Sequence, residues 1–345
     1  MIARNVQNLD AYTPGEQPKV PGLVKLNTNE NPYPPSPRVG EALASLDWKL
    51  LSLYPDPTCM AIRETVARIH GCTAEQVFVG NGSDEILALC TRAFVEDGGG
   101  IGFFEPSYSL YPVLADIRNA VRHPVPLADG FAWADPPVQG TDLFFMTRPN
   151  APVGIAYGKA TVASFCAAFP GVVVIDEAYG DFADDDCMDL ALSAENRNTL
   201  VMRTLSKSYS LAGIRCGYVV GPVELIGALY KIKDSYNLDR VTQALALAAL
   251  QDRDHMLANV ARIRATRARI ASALRERGWK VVDSQTNFLF ASPPDGDAAS
   301  CFAYLRGERI LVRYFPGPRT GSHLRITLGD DAQMDALLDA LDRRA

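Results

Sequence analysis

The chain has 345 residues, 48% hydrophobic and 21% charged, with a formal net charge of −6. That balance argues against nucleic acid or an anionic membrane as the main partner, though not against a local cationic pocket. Seven scattered cysteines without a C-x-x-C pair argue against a disulfide framework or a zinc site, and no run approaches the roughly 18 apolar residues that span a bilayer, so a cytoplasmic protein is expected.

The opening residues, without an apolar h-region, do not read as a secretory signal. Residues 1–37 show no periodicity, and the four prolines and three asparagines of 27–37 predict an arm rather than a helix. Ile62, Val66 and Ile69 mark a helix over 58–70. A strand at 77–79 leads into a helix from Ser83 to about Phe94, capped by Ser83 or Asp84. Residues 101–104 and 143–147 read as buried strands, separated by a helix from about Ser107 and a segment too rich in proline to assign. Residues 159–169 are helical. The apolar run 172–176, ending on an acid, has the pattern of a strand buried in a parallel sheet. Further strands at 200–205 and 218–220 precede a helix over 222–233 that opens on proline.

Strands alternating with helices predict βαβ units and a sheet covered on both faces. Residues 241–277 form one long helical pattern stopped at Arg277-Gly278. Strands at 281–284, 288–291, 310–315 and 323–328, with helices around 298–306 and at the C-terminus, predict a smaller α+β unit. The expected division is an arm (1–37), a large α/β domain (38–238), and a connecting helix with a small domain (239–345).

Lys207 follows a buried strand and stands among Thr204, Ser206, Ser208 and Ser210, with Arg215 downstream. A lone lysine is ordinarily a solvated one. This setting suits a lysine that loses its proton and forms an imine beside a bound anion. Asp176 lies at the C-terminal end of a buried strand, where open α/β sheets bind ligands, although a loop or cap acid is the commoner reading of such a residue alone. Glu177 alternates to the other strand face. In Gly80-Asn81-Gly82-Ser83-Asp84-Glu85, free N–H groups at a helix start suit a phosphate, while Glu85 stands where a dinucleotide fingerprint needs glycine. Arg148 to Gly154 reads as a turn. Arg313 and Arg325 suit strand salt bridges and carboxylate or phosphate recognition about equally. The four histidines have no ligand spacing, and no metal is expected.

In order, Asn8 to Gly15, Leu26-Asn27-Thr28-Asn29-Glu30-Asn31-Pro32, Tyr54-Pro55-Asp56-Pro57, Gly80 to Glu85, Pro106-Ser107-Tyr108, Asn150, Asp176 to Tyr179 and Ser206-Lys207 through Gly217 resemble fold-type I pyridoxal-phosphate (PLP) aminotransferases, most closely the histidinol-phosphate aminotransferase family. The resemblance covers nearly the whole chain. It implies an aspartate-aminotransferase-like α/β fold, with a mainly parallel seven-stranded sheet in the large domain. Lys207 would carry PLP as a Schiff base and shuttle a proton. Asp176 would hold the pyridine nitrogen protonated, so that the ring acts as an electron sink. Asn150 and Tyr179 would bond the ring hydroxyl, and Tyr108 would stack on the ring. Gly82, Ser83, Asp84, Thr204, Ser206 and Arg215 would hold the phosphate, joined by Tyr54 of a second subunit in a homodimer. Tyr12, Asn29, Arg313 and Arg325 would line the anionic end of the substrate.

The family's Ser/Asn-Pro-Asn-Asn-Pro-Thr-Gly turn is here Arg148-Pro-Asn-Ala151-Pro-Val153-Gly, which places an added charge, Arg148, near the site. The implied reaction is transfer of the amino group of L-histidinol phosphate to 2-oxoglutarate in histidine biosynthesis. Aromatic amino acids are the alternative donors. A phospho-amino-acid decarboxylase, a nicotinamide oxidoreductase built on the Gly80–Glu85 turn and a non-catalytic regulator are weaker rivals.

Overall fold

The structure is a computed structural model that describes every residue except Ala3, Asn8, Val138 and Ala345, and only the backbone of Arg4, so Asn8 of the N-terminal motif lies outside the described residues. In chain order the first elements are α1 (Arg4–Gln7), β1 (Val24–Lys25), α2 (Pro37–Ala44), α3 (Met60–His70), β2 (Val77–Gly80), α4 (Gly82–Phe94), β3 (Gly100–Glu105), α5 (Leu110–Arg118), β4 (Val121–Pro126) and β5 (Leu143–Thr147). Then come α6 (Lys159–Ala168), β6 (Val172–Asp176), α7 (Met188–Leu192), β7 (Thr199–Thr204), β8 (Gly217–Val220), α8 (Val223–Ile232), α9 (Arg240–Leu250) and α10 (Arg253–Glu276). The chain closes with β9 (Lys280–Val281), β10 (Phe288–Ser292), α11 (Ala298–Gly307), β11 (Ile310–Leu311), β12 (Arg313–Tyr314), β13 (Leu324–Thr327) and α12 (Asp331–Arg344).

Seven strands form one sheet in the order β2-β8-β7-β6-β5-β3-β4, parallel except for β8. Its central strands are apolar on both sides because both faces are covered. Phe144 and Met146 of β5 pack into one buried cluster, Leu143 and Phe145 into another. A second, antiparallel sheet runs β12-β13-β10-β9. The arm joins this region through β1, which pairs in parallel with β11. Leu26 N–H donates to Leu311 O at 2.7 Å, and Thr327 N–H donates to Leu26 O at 3.0 Å.

Several expectations need correction. The 241–277 pattern is two helices, α9 and α10, separated where the five polar residues Gln251 to His255 interrupt the apolar spacing. The chain turns at Gln251-Asp252, where the Asp252 carboxylate accepts the hydroxyl of Ser36, the residue that caps α2. The arm carries the single turn α1, and α2 starts on Pro37, with Ser36 Oγ accepting Arg38 N–H at 3.1 Å. The proline-rich segment contains strand β4, which tolerates Pro124 and Pro126 because it is an edge strand paired only with β3. The 310–315 run divides between β11 and β12, which serve different sheets. The helix expected from Ser107 begins at Leu110.

Candidate active site

The C-terminal ends of β5, β6 and β7 open on a cleft of about 490 Å³, walled on the other side by the arm and by residues of β12 and β13. This is where a parallel sheet places a ligand site, because the loops there diverge. Tyr12, Asn29, Ser83, Asp84, Tyr108, Asp176, Tyr179, Thr204, Ser206, Lys207, Arg215, Arg313 and Arg325 all face it. Lysine and three arginines thus oppose Glu30, Asp84 and Asp176 in one space, an arrangement suited to an anionic ligand.

Lys207 follows the turn after β7. Its Nζ donates to Thr28 O at 3.3 Å and lies 5.8 Å from the centre of the Tyr179 ring. Burial, then the nearby Arg325, pushes its pKa down from 10.5 to about 8, so the neutral amine is accessible near neutral pH. Asp176 ends β6 and is buried, which raises its pKa to about 6 against the opposing pull of hydrogen bonds from Tyr111 and from Ala178 N–H. Tyr111 Oη donates to Asp176 Oδ2 at 2.8 Å and lies 2.6 Å from Thr147 Oγ1.

The anion cradle forms where α4 meets the loop before β8. Asn81 is the N-cap and makes no side-chain cap bond, so the expected capping by Ser83 or Asp84 does not occur. Instead Glu85 accepts Asn81 N–H at 2.5 Å, which accounts for a carboxylate at the position where a dinucleotide fingerprint has glycine. The N–H groups of the first turn of α4 are left for a ligand. Gly82 has φ +77°, and a Cβ there would lie 2.6 Å from Arg215 Nη2, so only glycine lets the guanidinium close over the helix start. Arg215 Nη1 donates to Ser206 Oγ at 3.3 Å, and Thr204 Oγ1 donates to the same oxygen at 2.9 Å.

Across the cleft, Arg325 Nη2 donates to Asn27 O at 2.9 Å while its buried Nε has no partner. Burial and the neighbouring Arg313 lower its pKa, as expected of a guanidinium prepared for an anion. Arg313 donates to Thr13 O at 3.2 Å and Pro14 O at 3.4 Å. Tyr12 packs edge-on against Tyr108 at 5.8 Å. Asn29 Nδ2 donates to Tyr179 Oη at 2.8 Å, which joins the arm to the loop after β6.

Three expected residues stand apart from the cleft wall. The Gly82 backbone lies beneath Arg215. Asn150 is fully buried, donating to Pro106 O at 3.2 Å and accepting Val153 N–H at 3.3 Å. Tyr54 is 76% exposed and stacked on Tyr236 at 4.3 Å. The charge expected near the site from Arg148 does not reach it. That side chain is buried away from the cleft, donating to Tyr157 O at 2.7 Å and Asp185 Oδ1 at 2.5 Å. Tyr111 joins the site without having been expected there, its one sequence signal being its position three residues after Tyr108. Glu30 likewise joins it, with its carboxylate bonded by Lys25 and Thr28.

Comparison with known proteins places the whole chain in a family. A histidinol-phosphate aminotransferase of Microcystis aeruginosa is 42% identical over 339 residues, covering 97% of this chain and 96% of its own. One of Geobacter sulfurreducens is 44% identical over 343 residues, covering 98% and 97%. The crystal structure of the Sinorhizobium meliloti histidinol-phosphate aminotransferase in complex with pyridoxal-5'-phosphate superposes with a TM-score of 0.87 at 23% identity, covering 100% of this chain and 98% of that one. The family model for aminotransferase class I and II matches residues 21–341, and the chain belongs to that family.

Proposed function

We propose that the chain is a PLP-dependent transaminase that moves the amino group of L-histidinol phosphate to 2-oxoglutarate, a step of histidine biosynthesis. The observation that carries the cofactor is the joint placement of Lys207, Asp176 and the Gly82–Arg215 cradle around one cleft. These residues fit PLP: the cradle would take the phosphate, Asp176 the ring nitrogen and Tyr179 the ring hydroxyl, and Lys207 would hold the carbonyl carbon. Asn150 would join Tyr179 at the ring hydroxyl, from the turn that its bonds to Pro106 and Val153 hold in place. When bound, the cofactor supplies an electron-accepting ring conjugated to the carbon that exchanges the amino group.

Each protein group then has a distinct task. Lys207 Nζ would take the proton from the donor's α-carbon and deliver it to the carbon that receives the amino group. Asp176 would keep a proton on the ring nitrogen. Tyr108 stacks against the ring and, with Tyr12, limits water in the cleft. Arg325 and Arg313 receive the donor's phosphate and, in the second half-reaction, a carboxylate of the oxo acid. The substrate assignment is supported by the relatives' names and by this pair of arginines.

The same reading treats 1–37 as an arm, 38–238 as the cofactor-binding domain and 239–345 as the small domain. It also makes the chain a homodimer, in which Tyr54 reaches the phosphate of the other subunit. The exposure of Trp48, Leu51, Leu53 and Tyr54 on one segment supports a covered face there. No helix of the described residues is long and apolar enough to cross a membrane.

The test is a donor panel with 2-oxoglutarate as acceptor. Histidinol phosphate should give a higher kcat/KM than Phe or Tyr. The reverse ranking would reassign the enzyme to aromatic donors, and carbon dioxide release without glutamate formation would reassign it to decarboxylation.

A further inference from the structure

Next to the catalytic row lies a second row of charges that the proposed reaction does not use. The ladder continues past Thr147 and Asp176, with Arg148 N–H donating to Asp176 O and Glu177 N–H to Met202 O, both at 2.9 Å. Arg148, Glu177 and Arg203 are therefore neighbours across three parallel strands. Alternation turns all three away from the cleft, and none of them lines it.

Arg203 is the centre of this row and is buried. Its Nε donates to Glu177 Oε2 at 2.9 Å, its Nη1 to Asp181 Oδ1 at 2.6 Å, and its Nη2 to Asp186 Oδ2 at 3.1 Å. Gly180 makes the approach possible, since a Cβ there would lie 2.9 Å from Arg203 Cζ. Asp181 in turn accepts Ser208 Oγ at 2.5 Å. Glu177 directly follows Asp176 and Ser208 directly follows Lys207. The ring-nitrogen acid is thus one residue from a carboxylate bonded to this guanidinium, and the amine is one residue from a serine that reaches the same guanidinium through Asp181.

Burying so much charge contributes little net stability, because desolvation opposes the attraction. A planar fork that reaches three carboxylates at once does, however, fix geometry in a way lysine cannot. We propose that Arg203 is a positioning residue, which ties the segment bearing Asp176 to the segment bearing Lys207 and so sets the placement of the amine in the cleft. This inference rests on the cofactor reading above.

Ser208→Ala and Asp181→Ala in the full chain test it, because both cut the link to the Lys207 segment and leave the Arg203–Glu177 pair in place. Asp184→Asn is the control, since Asp184 belongs to the same acidic loop but bonds Arg264 instead. Two quantities are read against pH: acylation of Lys207 by acetic anhydride in cofactor-free protein, followed by peptide mass mapping, and the visible band of the PLP-loaded protein. The titratable and charged groups facing Lys207 in these titrations are Arg325, Arg215, Glu30, Asp84, Asp176 and Tyr179.

The expected result is a shift of both midpoints by roughly half a pH unit or more in each variant, with the control at wild type. The double variant should shift no further than the larger single one, because both cut one path. Unmoved midpoints in both variants, accompanied only by a lower melting temperature, would make the row a purely structural one. A wild-type protein that binds PLP without a visible band would remove the cofactor reading instead, and the acylation readout distinguishes that failure from this one.

Discussion

Tyr111 Oη donates to Asp176 Oδ2 at 2.8 Å, and both side chains are buried, Asp176 at the cleft floor and Tyr111 behind it. This bond favours the carboxylate form, while burial favours the neutral acid and wins, leaving Asp176 at about 6. The tyrosine therefore controls how far the acid is perturbed.

Tyr111→Phe removes that bond and leaves Thr147 without its nearest partner. The Asp176 pKa should rise further, so the acidic limb of the kcat/KM–pH profile should move to higher pH. Stability should fall by about 1–2 kcal/mol, the usual cost of an unsatisfied buried group. A profile that overlays wild type would show that Asp176 does not set this limb.

Lys207→Met should abolish transamination and yet stabilise the cofactor-free protein near pH 7. The folded pKa of about 8 lies below the ordinary 10.5, so the unfolded chain binds the extra proton and stability of the wild type rises with pH across that window. The gain on substitution should be on the order of 1–3 kcal/mol at pH 7. It should fade as pH rises from about 8 to 10.5. Denaturant melts at both ends of the window measure it, and a gain independent of pH would contradict the assignment.

Arg325→Lys keeps the charge but loses the fork whose Nε is unpartnered. The kcat/KM for histidinol phosphate should drop about 10- to 100-fold, the value of a charge-assisted hydrogen bond. Arg313→Lys should cost less, because two arm carbonyls already occupy that guanidinium. Equal losses at the two positions would refute the division of labour.

Arg148→Asn should destabilise the fold by about 3 kcal/mol, since it leaves Asp185 and part of Glu177 without a buried cation. The ranking of donors should not change, because Arg148 lies outside the cleft. A donor panel run on the variant decides this.

The central strands and the cofactor-side residues were legible because each leaves a local mark. Residues 143–147 and 172–176 are each four consecutive apolar residues closed by a polar one, and their observed bounds agree with the expected ones. Lys207 and Asp176 were legible as polar residues in positions that burial makes costly. The break between α9 and α10 is marked locally only by the polar stretch Gln251 to His255, which an exposed helix face also carries. The Ser36–Asp252 bond beside it joins residues far apart in the chain. The edge strand β4 was masked by prolines that only its position in the sheet makes acceptable. Arg148 was misplaced for a related reason. Strand alternation decides its direction, and its carboxylate partners come from loops whose course local patterns do not predict.

The arm has one further consequence, for the order in which the protein is made. Val24 and Lys25 leave the ribosome early, but their strand partners are Ile310 and Leu311, and Asn29 is held by Asn287 and Thr327. The wall of the cleft that carries Asn29 cannot form until nearly the whole chain exists, a very non-local closure. A nascent chain that already has Lys207 and the large sheet therefore has an open, unwalled site, and selection of the substrate begins only when the last strands arrive.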